Sequence, residues 1–257
     1  MNHGSAGFVS LQYLLLITMV VLGIGSLPKA NPPAQPMAKQ AVIPLSPVQD
    51  NTLYENATGS TSNGAGSFTF VGSIATGPVR RALLAFDIAG NIPAGSTINS
   101  AVLTLHMSRT VAGDETVTLH RLLANWGEGT SNADTQEGQG APATTGDATW
   151  LHTFFNSSFW ASAGGDFTAA PSASTVVGDV AFYTWGSTTQ MVADVQSWLD
   201  NPGSNFGWIL LGNESMSRTA KRFDSRENVT PANRPMLVID YTPLLKHVLL
   251  PIIMGLR

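Results

Sequence analysis

Two segments in which apolar and polar residues alternate constrain the fold most strongly. In residues 98–107, one face of an extended chain carries Ala101, Leu103, Leu105 and Met107. Residues 81–88 repeat the pattern, with apolar side chains at alternate positions from Ala82 to Ile88. A period of two is typical of a half-buried strand, whereas a helix would rotate positions 86 and 88 about 200° apart. The pattern therefore predicts two β-strands joined by a turn-rich connection at residues 89–97.

The rest of the chain adds short strands and one helix. Further strands are predicted at residues 50–55, 68–72, 116–123, 180–185, 206–211 and 235–242. Residues 189–200 predict the helix, because their apolar side chains recur at spacings of three and four, and Asn201-Pro202-Gly203 ends it. Many short strands with a single helix predict an all-β fold, an antiparallel β-sandwich with one short helix. The connection at residues 130–174 has little regular pattern, and a loop of this length is usually functional or partly disordered.

The segments at the two ends differ in composition from the predicted domain. Residues 1–30 contain an apolar run of signal-peptide length, which predicts a signal peptide or an uncleaved N-terminal membrane anchor. Residues 31–47 are rich in proline and predict a linker. The β-sandwich domain is then predicted at residues 48–243. Residues 244–257 form an apolar tail that is too short to span a bilayer and is interrupted by Pro251.

Charge and cysteine content exclude several classes of function. Charged residues make up only 12% of the chain, and the net charge is −4. Without a basic stripe to neutralise phosphates, nucleic acid is not expected as a partner. The absence of cysteine removes disulfides, thiolate metal sites and cysteine nucleophiles. A weakly charged chain rich in hydroxyl groups favours an extracellular location, secreted or anchored to the cell surface, with membrane contact only through the N-terminal segment if it stays uncleaved.

The order and spacing of several short motifs carry a family resemblance. The motifs are Asp50-Asn51-Thr52-Leu53, residues 81–88, residues 92–98, Ala101-Val102-Leu103-Thr104-Leu105, Trp126-Gly127-Glu128-Gly129, residues 205–211, Ser225-Arg226-Glu227 and residues 234–241. Together they resemble the DNRLRE domain family, whose members include carbohydrate-binding modules of secreted polysaccharide-degrading proteins. The resemblance covers roughly residues 50–241 and implies a jelly-roll-like β-sandwich, export and no catalysis. The connection at residues 130–174 departs from the family pattern.

Two stretches supply candidate residues for binding a polysaccharide or a cell-surface glycan. The aromatic residues Phe159 and Trp160 lie in a loop rich in serine and glycine, where exposure is expected. The basic run at residues 221–226 adds three cationic candidates, Lys221, Arg222 and Arg226. Aromatic rings suit the apolar faces of sugars, and arginine offers donors in a fixed geometry. Arg226 has a structural alternative, which the sequence favours: an Arg–Glu pair with the adjacent Glu227 that ties a loop to the last strand.

Other residues with catalytic or metal-binding potential form weaker patterns. His106 and His120 are expected on neighbouring strands, but no third metal ligand accompanies them. Glu128 and Asp134 could act as paired carboxylates, although the motif around Glu128 is better explained as a structural turn. The chain is therefore predicted to be non-catalytic and to need no cofactor. The sequence neither requires nor rules out a structural calcium ion. The alternatives are a structural cell-surface or envelope protein without a sugar ligand and, less favoured, a hydrolase.

Overall fold

The computed structural model describes residues 39–245, so the predicted leader and most of the apolar tail lie outside the described residues. The strands are β1 (Ala41–Leu45), β2 (Gln49–Tyr54), β3 (Thr61–Ser62), β4 (Phe68–Ser73), β5 (Val79–Ala85), β6 (Thr97–Thr110), β7 (Glu115–Arg121), β8 (Ala141–Pro142), β9 (His152–Phe154), β10 (Ser158–Phe159), β11 (Ala173–Val177), β12 (Ala181–Gly186), β13 (Trp208–Leu211), β14 (Lys221–Asp224) and β15 (Met236–Thr242). One α-helix, α1 (Thr189–Asp200), and the 3-10 helices Asp134–Gln139, Pro202–Ser204 and Pro231–Asn233 complete the described elements. The predicted all-β class is confirmed. Within residues 39–245, no helix has both the length and the apolarity needed to cross a bilayer.

Eleven of the described strands form one large antiparallel sheet that curls into two facing leaves, while β3–β8 and β9–β10 are separate two-stranded sheets. Leaf A contains β1, β15, β6, β14 and β4, with β12 paired to β6. Leaf B contains β2, β5, β13, β7 and β11. β4 joins the leaves, because its first residues pair with β14 and its last two, Gly72 and Ser73, pair with β5. Gly72 has a φ of +88°, and a Cβ there would lie 2.9 Å from the carbonyl oxygen of Thr219, so the corner requires glycine.

The two segments with alternating apolar and polar residues lie in opposite leaves, and their apolar faces both point into the core between the leaves. Leu103, Leu105 and Phe86 are each at most 1% exposed, which confirms the predicted inward face of both strands. α1 has the predicted bounds and closes one end of this core. Its Trp198 ring lies 4.5 Å from the ring of Trp208 on β13 in an edge-on arrangement. Burial of large apolar side chains between the leaves is the main stabilising contribution to such a fold.

A second apolar cluster lies on the opposite face of leaf B. Leu53, Leu83 and Ile209 project outward from three neighbouring strands and are fully buried. Trp126 and Trp160, from the long segment that follows β7, pack onto them. The connection at residues 130–174 therefore serves to cover this face, with β8, β9 and β10 as its own short strands. The absence of regular pattern did not indicate disorder.

Seven strands were missed by the sequence analysis, and two of them, β1 and β14, change earlier predictions; the seven are β1, β3, β8, β9, β10, β11 and β14. β1 lies within the predicted proline-rich linker and pairs with β15 in antiparallel register, so the domain extends to Ala41 and the predicted boundary at residue 48 is too late. An edge position tolerates Pro44, because the side of the strand that faces away from the sheet needs no N–H donor. β14 lies within the basic run and is inserted between β4 and β6. Its surroundings decide which of the basic side chains reach solvent.

Candidate functional site

A groove of about 620 Å³ lies on the outer face of leaf A. It is lined by residues of β4, β14 and β6 and by the 3-10 helix Asp134–Gln139. The side chains with binding potential are Phe68, Phe70, Arg109, Asp134, Thr135, Gln139 and Arg222. The groove is therefore a concave surface that combines aromatic, cationic and hydrogen-bonding groups, as ligand sites do.

The alternation of β14 places Arg222 in this groove. Phe223 points into the core and is 1% exposed, so its neighbour Arg222 points outward, where it pairs in register with Phe70 on β4 and Arg109 on β6. The central carbon of the Arg222 guanidinium lies 3.7 Å from the centroid of the Phe68 ring. Its Nε donates to Ser108 Oγ at 3.0 Å. Stacking and the hydrogen bond fix the guanidinium plane before any ligand arrives.

The 3-10 helix is held against β4 by Glu137. A carboxylate oxygen of Glu137 accepts the backbone N–H of Phe68 at 2.8 Å and the Asn63 side-chain amide at 3.1 Å. The hydroxyl of Tyr54 donates to the Glu137 backbone carbonyl at 2.6 Å. Burial raises the pKa of the Glu137 carboxyl, and these hydrogen bonds oppose that shift. Glu137 therefore positions the groove wall, while the neighbouring Asp134 and Thr135 are exposed.

The predicted aromatic pair is divided between the surface and the interior. Phe159 is 67% exposed, as expected, and its ring lies 4.3 Å from the ring of His152. Trp160 is only 5% exposed, and its Nε1 donates to the backbone carbonyl of Thr149 at 2.9 Å. The expected exposure of Trp160 is therefore wrong, because its ring covers the outer face of leaf B. No residue from 154 to 160 is among the described residues that line the groove.

Lys221 is among the residues that line the groove, but its side chain is buried rather than presented to a ligand. Its Nζ donates to the backbone carbonyls of Ala112, Gly113 and Gly178 at 3.2, 2.5 and 3.1 Å. Burial lowers the pKa of the ammonium group, and nearby carboxylates oppose that shift. Three carbonyls satisfy its three donors, so the side chain ties two hairpin loops together. Of the basic candidates, Arg222 is the one whose guanidinium lines the groove.

Arg226 forms the expected Arg–Glu pair and also contacts a second glutamate. Its Nε lies 2.7 Å from carboxylate oxygens of both Glu128 and Glu227, and its Nη2 lies 2.8 Å from the second oxygen of Glu128. The expected pair with Glu227 is therefore present, and the bidentate partner is Glu128. Charge-assisted, two-point contacts of this kind are strong and specific in direction. They bind the loop after Trp126 to the end of β14, so the expectation that the pair ties a loop to the last strand is wrong.

The histidines expected to approach each other are separated. His106 lies on β6 in leaf A and His120 on β7 in leaf B, so the prediction of neighbouring strands is wrong. His106 Nδ1 lies 2.6 Å from Asp224 Oδ2, and His120 Nδ1 lies 2.8 Å from the backbone oxygen of Thr168. Each ring is used in a local hydrogen bond, and the two do not form a shared metal site.

The groove was missed because it depends on a contact that sequence periodicity does not report. The strand predicted at residues 68–72 already placed Phe68 and Phe70 on one face. The packing of residues 134–139 over that face follows from buried hydrogen bonds of Glu137, a carboxylate within the irregular connection.

A scan of the chain against protein-family models finds no match, and a comparison with curated proteins finds none either. The resemblance to DNRLRE domains stays a prediction.

Proposed function

We propose that this all-β protein is a non-catalytic polysaccharide-binding protein, secreted or anchored at the cell surface, whose ligand lies in the groove of leaf A. The observation that carries the proposal is the presence of Phe68, Phe70, Arg109 and Arg222 in one concave surface of about 620 Å³. The resemblance to carbohydrate-binding modules supports the same class of ligand.

The chemistry of a sugar chain matches these groups. Each sugar ring has an apolar face of C–H groups, which packs favourably on an aromatic surface such as Phe70. The hydroxyls around the ring, and any carboxylate, accept hydrogen bonds from guanidinium groups in a fixed planar fork. Because Arg222 is already held by Phe68 and Ser108, it loses little conformational entropy when it binds a ligand.

Affinity electrophoresis of the full chain in gels that contain neutral and acidic polysaccharides tests the proposal. At least one polysaccharide should retard the wild type. Phe70→Ala and Arg109→Ala should each weaken the affinity for that polysaccharide about tenfold or more, equivalent to roughly 1.4 kcal/mol, and so reduce the retardation. Matched controls are Phe159→Ala, which removes an exposed ring outside the groove, and Arg234→Ala, which removes an exposed cation elsewhere.

The pattern of effects also locates the site. Loss of retardation in Phe159→Ala, with retention in both groove variants, would move the binding site to the β9–β10 hairpin. If Arg109→Ala and Arg234→Ala weaken retardation equally, the effect reflects net charge rather than a groove contact. If no polysaccharide retards the wild type, the alternative role as a structural cell-surface protein becomes the better explanation.

A further inference from the structure

Three carboxylates converge at the end of the fold where β2 begins. Asp50 lies on β2, Glu128 lies in the loop that follows Trp126, and Glu227 follows β14. One side-chain oxygen from each of the three residues can be chosen so that all three atoms lie within 4.8 Å of one another. This carboxylate cluster, defined here as Asp50, Glu128 and Glu227, brings together residues far apart in sequence.

The cluster contains more negative than positive charge. The charged side chains that act on Asp50 are Glu227, Glu128 and Arg226, and those that act on Glu227 are Arg226, Glu128 and Asp50. Arg226 is thus the cation among these groups, and its Nε and Nη2 are engaged with Glu128 and Glu227. With all groups ionised, three carboxylates and one guanidinium leave a net charge of −2.

Two buried oxygens in the cluster have no hydrogen-bond partner among the described residues. Asp50 is 1% exposed, and its Oδ2 accepts the backbone N–H of Arg226 at 2.7 Å, but its Oδ1 has no partner. Glu227 Oε2 is likewise buried and unpartnered. The two carboxyl groups lie within hydrogen-bonding reach of each other. A buried, unpaired carboxylate oxygen is costly, so a proton or a cation must complete this arrangement.

We propose that Asp50, Glu128 and Glu227 form a binding site for a divalent cation, and that the cation is calcium. A charge of +2 neutralises the cluster, whereas a single shared proton leaves it at −1. All available donors are carboxylate oxygens, which suit hard cations rather than zinc or copper. Calcium binds oxygens at about 2.3–2.6 Å, so its shell is roughly 4.6–5.2 Å across, and the 4.8 Å span of the cluster fits within it.

Partial exposure leaves an access path and room for water ligands. The side chains of Glu128 and Glu227 are 19% and 24% exposed, while Asp50 lies at the bottom of the cluster. Calcium takes six to eight oxygens in flexible geometry and accepts water for the remainder. Magnesium demands near-ideal octahedral geometry and gives up its water reluctantly, which suits a cluster partly occupied by Arg226 less well.

Calorimetric titration of the purified full chain with calcium chloride, after removal of metals with EDTA, tests the site. The wild type should bind calcium with a stoichiometry of about one, and its melting temperature should rise with calcium concentration because the ion binds only the folded chain. Glu227→Gln keeps the side-chain shape and removes one charged ligand, so its calcium affinity should fall at least tenfold. Glu214→Gln is the matched control, because the Glu214 side chain is 24% exposed, like that of Glu227, and contacts an arginine, Arg81, outside the cluster.

Three results would overturn the proposal. The first is a wild type that binds no calcium and melts at the same temperature in calcium and in EDTA, which assigns the two unpaired oxygens to a shared proton. The second is Glu227→Gln binding calcium as tightly as the wild type. The third is Glu214→Gln losing affinity as much as Glu227→Gln. Because Glu227 is partly exposed, its variant tests the ligand role even if Asp50→Asn fails to fold, and none of these readouts requires a polysaccharide.

Discussion

Replacement of Leu105 by alanine tests the assignment of the core most directly. Leu105 is 1% exposed and lies on β6, which pairs with β12 on one side and with β14 and β15 on the other. Removing three carbons costs about 2.4 kcal/mol in transfer free energy, at about 0.8 kcal/mol for each. A strand held on both sides cannot collapse into the space, so a cavity term adds to this, and the total loss should be roughly 3–5 kcal/mol.

Urea denaturation monitored by tryptophan fluorescence measures this loss in the free energy of unfolding, with the m-value expected to stay unchanged. The matched control is Thr104→Ala on the same strand, whose side chain projects from the opposite, half-buried face. It should lose less than about 1 kcal/mol, the span of strand propensities in a host protein. A loss below about 0.5 kcal/mol for Leu105→Ala, far under the usual range for buried leucine, would refute the inward face assigned to β6.

Three further perturbations test local features of the structure. Thr188→Ala should cost about 1 kcal/mol in urea denaturation, because the Thr188 hydroxyl accepts an N–H from the first turn of α1. Gly129→Ala should lower the melting temperature strongly, since φ is +73° and the new Cβ would lie 1.3 Å from Asp147 Oδ1; an unchanged melting temperature would contradict this. In EDTA, the free energy of unfolding should fall as the pH rises from about 4. Burial raises the pKa values of Asp50 and Glu227, so the folded chain binds protons more tightly than the unfolded chain does. Equal stability at pH 5 and pH 8 in EDTA would contradict the raised pKa values.

Periodicity predicted those parts of the fold in which local pattern and burial agree. β6 and α1 are long enough for their period to be unambiguous, and both lie where the pattern places them. β14 has only four residues, and two of them are basic, so its composition indicated a surface loop. Tertiary contacts override that composition, because three backbone carbonyls from other loops satisfy the buried ammonium of Lys221.

The candidate site was only partly accessible from sequence for a related reason. Arg222 was selected because it is basic, yet its place in the groove follows from the inward orientation of Phe223 on a strand that was not predicted. Trp160 was selected because its neighbours are small and polar, which indicates exposure only if nothing lies beneath them. The buried face of leaf B lies there, and a pattern within one segment cannot report what another segment covers.

The carboxylate cluster and the groove are joined by buried hydrogen bonds, and this determines which variants can separate them. The Asn51 amide donates to the Glu128 backbone carbonyl at 2.8 Å, and its oxygen accepts the backbone N–H of Asn63 at 3.2 Å. Asn63 in turn donates to the Glu137 carboxylate, which holds the groove wall. A change at Glu128 can therefore displace the wall through this network without any contact to a sugar. Glu227 does not take part in these bonds, so its variant reports on ion binding, and loss of glycan binding in a Glu128 variant would not identify a sugar contact.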